Sequence, residues 1–315
     1  MRYVSLLLLF LAAVSASAQY QRPGRMIDIG GRKLYLNCEG QGTPTVVLVA
    51  GGDAFSIDWA LVQPKVALDT RVCSYDRAGL GWSDPGLADE TVEQTIGDLH
   101  ALLQAAGEKP PYLLVGASIG GIYIQAYRHA FPAEVGGLLF TNSSHHVGMS
   151  VKGKVGLLWE LTEDEIRSAY PFPSTMKGVA PTDEGEPFDR LPAELQTVRL
   201  GFDMQIWKNF DPAKATPDQN LSWRKEFLRE FDETETGKDR LLGSLPVVVL
   251  DSDPAASEAE GHSRDGAAAR LDFLSSNDVH IVATGSGHEI HLYQPDMVVK
   301  ALERGVAAVR NHVPL

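Results

Sequence analysis

The feature that most constrains this chain is a short segment in which a strand, a glycine-rich turn and a helix follow without a break. Residues 112–115 (YLLV) form an apolar run of strand length, and residues 122–127 carry apolar side chains at helical spacing. The turn 116–120 (GASIG) is a G-x-S-x-G motif, which lifts its serine clear of a sheet on a strained backbone. Ser118 is therefore a candidate nucleophile, placed where the helix dipole favours negative charge. The alternative is a surface serine in a glycine-rich turn.

Strand-like and helix-like segments alternate along most of the chain. A mainly parallel, doubly wound sheet covered by helices on both faces is therefore predicted. The predicted strands are 26–29, 33–38, 45–49, 71–75, 112–115, 135–141, 245–250 and 279–283, and the predicted helices are 57–68, 91–106, 266–274 and 294–309. Sites in such sheets lie beyond the C-terminal ends of the strands, where the turns 50–53, 76–84 and 116–120 are expected to meet.

Residues 145–240 have a different character. They are polar, contain three segments of helical pattern (163–169, 194–210 and 221–231) and show no strand-like run. Because segments of one sheet bracket them, we interpret them as a helical cap inserted into a core formed by 19–144 and 241–315. An independent domain is the alternative, and the length of 315 residues allows either.

The first 18 residues have the pattern of a secretory signal. Arg2 is followed by an apolar stretch, 6–14, and by the small-residue cleavage site 16–18 (ASA). The segment is short for a membrane anchor, which is the alternative, and no later stretch has the length and apolarity of a span. We therefore expect a soluble, secreted or periplasmic protein that begins near Gln19.

The charge balance excludes two classes of partner. Without Arg2 the chain has 27 basic and 41 acidic residues, a net charge of 27 − 41 = −14. Such an acidic protein is not expected to bind nucleic acid or an anionic membrane surface. The expected partner is a small molecule, and the oligomeric state is not determined by the sequence.

A serine at its ordinary pKa needs a base, and His288 is the best candidate. It follows the last predicted strand, which places it at the same sheet edge as Ser118 and in the expected chain order. The segment 288–291 (HEIH) also suggests a metal site, but its spacing is not that of H-E-x-x-H, so no metal is predicted. A surface histidine is the alternative.

The acid that orients the base is expected just past the strand 247–250. Asp253 is favoured because it lies further beyond the strand end, with Asp251 as the alternative. For Asp253 the competing interpretation is a turn-forming residue before a proline. The two oxyanion donors are expected to be the backbone N–H groups of Ile119 and Gly52.

Five segments together resemble the α/β-hydrolase fold family over nearly all of the chain after the signal. They are VVLVAGGD, RVCSYDRAGLGWSDP, YLLVGASIGG, GLLFTNSSHH and GSGHEIHLYQP. The chain is similar to the esterase and aminopeptidase-like members that carry a helical cap. That resemblance implies catalysis by a Ser-His-acid triad without a cofactor.

The chain departs from the family pattern at three places. Ala117 precedes the serine and Ala50-Gly51 stands in the oxyanion turn where relatives often have histidine, and Asn142 stands where similar proteins often have aspartate. The first two changes remove no backbone donor. An amide at the acid position carries no charge, and Asp-to-Asn in a triad can cost about 10⁴ in rate.

The resemblance also places the strand that ends at Cys38 beside the strand that holds Cys73. In an exported protein these two cysteines are therefore expected to form a disulfide.

These features predict a secreted serine hydrolase that cleaves an ester through an acyl-enzyme. A peptidase or a lactonase is the near alternative, and a non-catalytic ligand-binding protein is the alternative from another class, because a fold does not fix a function. Dehalogenases and epoxide hydrolases are disfavoured, since members of those classes resemble this chain with aspartate at the position of Ser118.

Overall fold

The computed structural model describes residues 20–86, 92–143, 148–151, 154–157, 182–183, 185–209, 242–252 and 275–315. The predicted signal segment, Asp253 and the predicted helices 163–169, 221–231 and 266–274 lie outside these residues. No helix of the described part is long and apolar enough to span a membrane.

Eight strands form one sheet in the order β1-β2-β4-β3-β5-β6-β9-β10. β2 is antiparallel to both β1 and β4, and every other pair in the sheet is parallel. The mainly parallel α/β sheet is thus confirmed. The strands are β1 (Arg25–Asp28), β2 (Lys33–Glu39), β3 (Thr45–Val49), β4 (Val72–Tyr75), β5 (Tyr112–Ala117), β6 (Val135–Thr141), β9 (Val247–Ser252) and β10 (Asp278–Ala283).

Helices flank the sheet close to their predicted positions. The α-helices are α1 (Gln63–Val66), α2 (Val92–Ala106), α3 (Gly120–Ala130), α4 (Ala193–Asn209), α5 (Ile290–Tyr293) and α6 (Pro295–Asn311). The predicted helix 57–68 is instead a 3₁₀ turn, Ser56–Trp59, followed by α1. Pro64 lies in the first turn of α1, where its missing N–H is tolerated, so a new helix begins there.

The core lies on both faces of the sheet. On β3, Val47 and Val49 pack into a cluster that includes residues of α2 and α3, whereas Val46 and Leu48 pack into a cluster that includes residues of α1 and α6. A strand that is buried on both faces has a continuous apolar sequence, as residues 45–49 do.

A disulfide joins Cys38 to Cys73, as the resemblance implied. The two residues lie directly opposite each other on the antiparallel strands β2 and β4, with their Cα atoms 4.0 Å apart. The bond therefore links the outer part of the sheet to the strand that leads into the loop at 76–84.

The region interpreted as a cap contains more than helices. Gly148–Val151 (β7) and Lys154–Leu157 (β8) pair as an antiparallel hairpin, so the expectation of no strand there is wrong. These strands are only four residues long, and each contains a glycine, Gly148 or Gly156, a residue that is depleted in strands, so the sequence carries little signal for them. The predicted helix 194–210 is confirmed as α4.

Candidate active site

The turn after β5 has the strained geometry that the motif predicts. Ser118 has a φ of 50°, a left-handed conformation that is uncommon for residues other than glycine. A Cβ on Gly116 would lie 2.6 Å from backbone atoms of Gly120, and a Cβ on Gly120 would lie 2.5 Å from the carbonyl oxygen of Val49. Neither position could hold a larger residue without a shift of the backbone, so the glycines make the turn possible.

The adjoining strand β6 holds the turn in place. The backbone N–H of Ser118 donates to the carbonyl of Thr141 at 3.3 Å, and the Ser143 hydroxyl donates to the carbonyl of Ser118 at 2.7 Å. The end of β6 is therefore attached directly to the candidate nucleophile, a contact that the sequence did not reveal.

The turn after β3 lies against the serine. A Cβ on Gly51 would be 3.2 Å from the Cβ of Ser118, whereas a Cβ on Gly52 would meet nothing within 4 Å. The space beside Gly52 is thus open.

A buried arginine orients the backbone of that turn. The Arg77 guanidinium donates to the carbonyls of Ala50 at 2.7 Å and of Gly51 at 2.6 Å, and also to that of Gly52. Since a trans peptide places C=O and N–H on opposite sides, the N–H of Gly52 faces away from Arg77. The sequence placed the loop 76–84 at this edge but gave Arg77 no role.

Asp76 braces the same loop from inside. Its carboxylate accepts the backbone N–H groups of Ser56 at 2.7 Å and of Trp82 at 3.0 Å. Burial raises the pKa of Asp76 to about 6, and these two hydrogen bonds oppose the rise. A Cβ on Gly81 would collide with the Asp76 carboxylate, which explains that glycine.

His288 meets Asn142 at the same edge of the sheet. It lies between β10 and α5, and its Nδ1 is 2.6 Å from Nδ2 of Asn142, which also donates to the His288 carbonyl at 3.1 Å. Asn142 has a φ of 41°, which asparagine tolerates better than most residues. Its Oδ1 accepts the Ser252 hydroxyl at 2.9 Å. The Asn142 amide thus links the ring of His288 to Ser252 at the end of β9.

In the described part of the structure, neither of the two aspartates predicted as the acid lies against His288. Asp253 lies outside that part. β9 extends to Ser252, so Asp251 lies inside the strand rather than past its end as predicted, and its carboxylate is 2.7 Å from Nε2 of His280 on β10. The strand is longer than its apolar run because polar residues continue the ladder with β10.

Helix α4 is joined to the core beside the turn 50–53. Arg199 lies 2.9 Å from the Asp58 carboxylate, 2.6 Å from that of Asp203 and 3.4 Å from the carbonyl of Asp53. Its guanidinium also stacks on the ring of Phe188 at 3.5 Å. Burial raises the pKa of Asp58, and the charge of Arg199 opposes that rise.

The second histidine of the HEIH segment is buried. His291 stacks on Trp59, with ring centroids 4.5 Å apart, and its Nε2 lies 3.5 Å from the Glu289 carboxylate. Burial lowers the pKa of His291 to about 3, and nearby His288 and Arg199 act in the same direction. His291 is therefore neutral at ordinary pH.

Among the described residues, one group of possible metal ligands lies close enough together to hold an ion. It consists of Cys38, Cys73 and Glu108, and its two cysteines are joined in the disulfide. The sulfur atoms are therefore not available as thiolate ligands.

Comparison with known proteins now gives the family. The sequence pattern of the alpha/beta hydrolase family matches residues 46–301. The chain belongs to the alpha/beta hydrolase family. An uncharacterized protein of Bacillus subtilis strain 168, YbdG, is 24% identical over 294 residues, which cover 88% of this chain and 83% of that protein. An AB hydrolase superfamily protein of Gibberella zeae is 22% identical over 296 residues, covering 85% of this chain and 87% of that protein.

Solved structures of other alpha/beta hydrolases have the same fold. Cfl2 from Burkholderia cenocepacia matches with a TM-score of 0.63 at 16% identity, over 90% of this chain and 95% of that one. The epoxide hydrolase CorEH matches with a TM-score of 0.61 at 15% identity, over 90% of this chain and 98% of that one. The 2-hydroxy-6-oxo-6-phenylhexa-2,4-dienoate hydrolase of Rhodococcus sp. strain RHA1 matches with a TM-score of 0.59 at 16% identity, over 90% and 97%. These likenesses show the fold.

Proposed function

We propose that this protein is an exported serine hydrolase that cleaves a carboxylic ester, or a related acyl bond, of a small molecule. The observation that carries the proposal is the strained Ser118 in its glycine-lined turn, attached to the strand end that bears Asn142 and, through it, His288. A left-handed serine between a strand and a helix is a costly conformation, of the kind found at functional sites.

In the proposed reaction Ser118 attacks the substrate carbonyl while His288 removes its proton. The N–H groups of Ile119 and Gly52 stabilise the negative oxygen of the tetrahedral intermediate. His288 then protonates the leaving alcohol, which leaves an acyl-enzyme. In the second half of the reaction His288 removes a proton from water, the water attacks the acyl carbonyl, and His288 returns the proton to the oxygen of Ser118. Asp253 is the acid that the sequence favours, whereas Asn142 is the group that lies 2.6 Å from Nδ1 of His288 and competes for that place. No cofactor or metal takes part.

The domain organisation is proposed alongside. Residues 145–240 would form the cap, with α4 fixed to the core through Arg199 and Asp58. Residues 1–18 would be a cleaved signal, and the disulfide fits an oxidising compartment. N-terminal sequencing of protein recovered from the periplasm or the medium should begin at Gln19.

A fluorophosphonate probe tests the central proposal. Wild-type protein should be labelled at Ser118, as read by intact mass and peptide mapping, and Ser118→Ala and His288→Ala should abolish the label. Ser276→Ala is the matched control, because Ser276 is exposed and bonds to Gly243 near the opposite ends of the strands. Labelling that survives Ser118→Ala would show that Ser118 is not the activated serine.

Turnover of nitrophenyl esters, aminoacyl anilides and lactones would then separate the esterase from the peptidase and the lactonase. A second candidate function, ligand binding without catalysis, is favoured by the amide of Asn142 at the acid position. A folded wild-type protein that takes no label and hydrolyses none of these substrates would favour it.

A further inference from the structure

Two backbone groups determine which way round the Asn142 side-chain amide lies. The carbonyl of His288 can only accept a hydrogen bond, and it lies 3.1 Å from Nδ2. The N–H of Ser252 can only donate, and its nitrogen lies 3.5 Å from Oδ1, the oxygen that also accepts the Ser252 hydroxyl at 2.9 Å. With Oδ1 and Nδ2 exchanged, Nδ2 would face the N–H of Ser252, so that two donors meet. Oδ1 would face the carbonyl oxygen of His288, so that two acceptors meet.

The orientation of the amide determines the tautomer of His288. Nδ2 carries only hydrogens for bonding, so Nδ1, at 2.6 Å from it, must offer a lone pair. In a neutral imidazole the proton is then on Nε2. We infer that Asn142 is a positioning residue that holds His288 in the Nε2–H tautomer.

This inference rests on the proposed function and describes how that site is set. A general base must accept the Ser118 proton on Nε2, which requires the other tautomer, with the proton on Nδ1. Reaching it means moving the imidazole proton and turning Oδ1 of Asn142 towards Nδ1. Asn142 and Ser252 are 4% and 0% exposed, so little water can compensate for the mismatched groups. Ser118 is therefore weakly activated.

An aspartate at position 142 should reverse the arrangement. A carboxylate accepts the Ser252 N–H and hydroxyl and also a proton-bearing Nδ1, which leaves the lone pair of Nε2 for Ser118. Asn142→Asp should therefore accelerate fluorophosphonate labelling of Ser118 by between about 10² and 10⁴, the upper figure being the loss when a triad aspartate becomes asparagine. Asn311→Asp, at an exposed position in α6, is the control for the added charge and should change nothing.

The tautomer can be read without turnover. Protein with ¹⁵N-labelled histidine would be studied by two-bond ¹H–¹⁵N correlation at about pH 8, above the ordinary histidine pKa of about 6.5. The chain has nine histidines, so the spectrum of His288→Gln identifies the signals of His288. We expect the wild-type proton on Nε2 and the Asn142→Asp proton on Nδ1.

The outcomes separate the inference from the function. A wild-type proton on Nδ1 would overturn the inference and point to another acid, such as Asp253, whatever the Asn142→Asp variant does. An Asn142→Asp protein that keeps the proton on Nε2 would also overturn it. If the tautomer reverses as expected but Ser118 stays unlabelled in both proteins, the inference stands and the hydrolase proposal fails.

Discussion

Nε of Arg199 lies 2.9 Å from the carboxylate of Asp58, and both side chains are almost fully buried, at 6% and 1% exposed. The pair joins helix α4 to the short 3₁₀ turn Ser56–Trp59, which follows the turn 50–53. A buried ion pair whose partner is removed leaves an uncompensated charge in the protein interior.

Arg199→Met should therefore lower the free energy of unfolding by about 3–5 kcal/mol, measured by urea denaturation at pH 7. Lys65→Met is the matched control, because Lys65 pairs with Asp296 at the surface, where such pairs contribute about 0–1 kcal/mol. Combining Arg199→Met with Asp58→Asn should cost less than the sum of the single changes. Strict additivity would show that the two side chains are not coupled.

Arg77 should act on the proposed reaction through the oxyanion turn. Replacing it with methionine frees the carbonyls of residues 50–52, and a displacement of about 1 Å in such a site can cost 10²-fold in rate. We expect Arg77→Met to lower kcat by about that factor with little change in KM, and Arg77→Lys to lower it less. Arg304→Met, at an exposed position, is the control. A rise in KM at constant kcat would mean that Arg77 serves substrate binding instead.

The glycines of the site should differ sharply in tolerance. A Cβ on Gly120 would lie 2.5 Å from the backbone oxygen of Val49, so Gly120→Ala should destabilise the fold by at least about 3 kcal/mol, the upper end of overpacking. A Cβ on Gly52 meets nothing within 4 Å, so Gly52→Ala should change stability by no more than about 0.5 kcal/mol. Thermal melts of the two variants compare them directly, and equal losses would contradict the tight approach of α3 to β3.

His291 should make the protein sensitive to acid. The pKa of His291 is about 3 in the folded protein and about 6.5 in the unfolded chain. The free energy of unfolding that neutral His291 contributes is therefore fully present above pH 6.5 and is lost as the pH falls through 6.5 towards 3. Between pH 7 and about pH 4.5 this loss amounts to about 3 kcal/mol.

His291→Phe keeps a ring to stack on Trp59 but cannot be protonated. The difference in unfolding free energy between wild type and this variant should therefore shift by about that amount over the same pH range, as measured by denaturant titration at each pH. His129→Phe, at an exposed position, should show no such shift. A constant difference between wild type and His291→Phe would mean that the pKa of His291 is the same in the folded and the unfolded protein.

The sequence alone predicts those parts of the fold and of the candidate site whose signal lies within a short segment. The turn 116–120 and the apolar strands could be predicted because each depends on spacing within about a dozen residues. The placement of Ser118 and His288 at one sheet edge followed from the rule that parallel strands end together.

The sequence alone does not predict contacts between side chains that are far apart in the chain. Asn142 is visible in the sequence as a departure from the family pattern, but its contact with a histidine 146 residues away depends on the order of strands β6, β9 and β10. Arg199 and Asp58 are separated by 141 residues, and no periodicity relates them. Asp251 was misplaced because a polar residue that continues a strand looks like the first residue of a loop.

The disulfide between Cys38 and Cys73 closes a covalent ring that contains β3 and the turn 50–53 after it. Leu68, which is 89% exposed, lies on this ring and offers an accessible site for proteolysis. A cut there would leave both pieces of the chain joined through sulfur, with β3 still paired to β4 and β5. A cut at Gly30-Gly31, outside the ring, would leave the N-terminal strand held by non-covalent contacts alone. In a protease-rich environment, the part of the chain that carries the turn 50–53 would therefore stay attached after a cut that elsewhere would release a fragment.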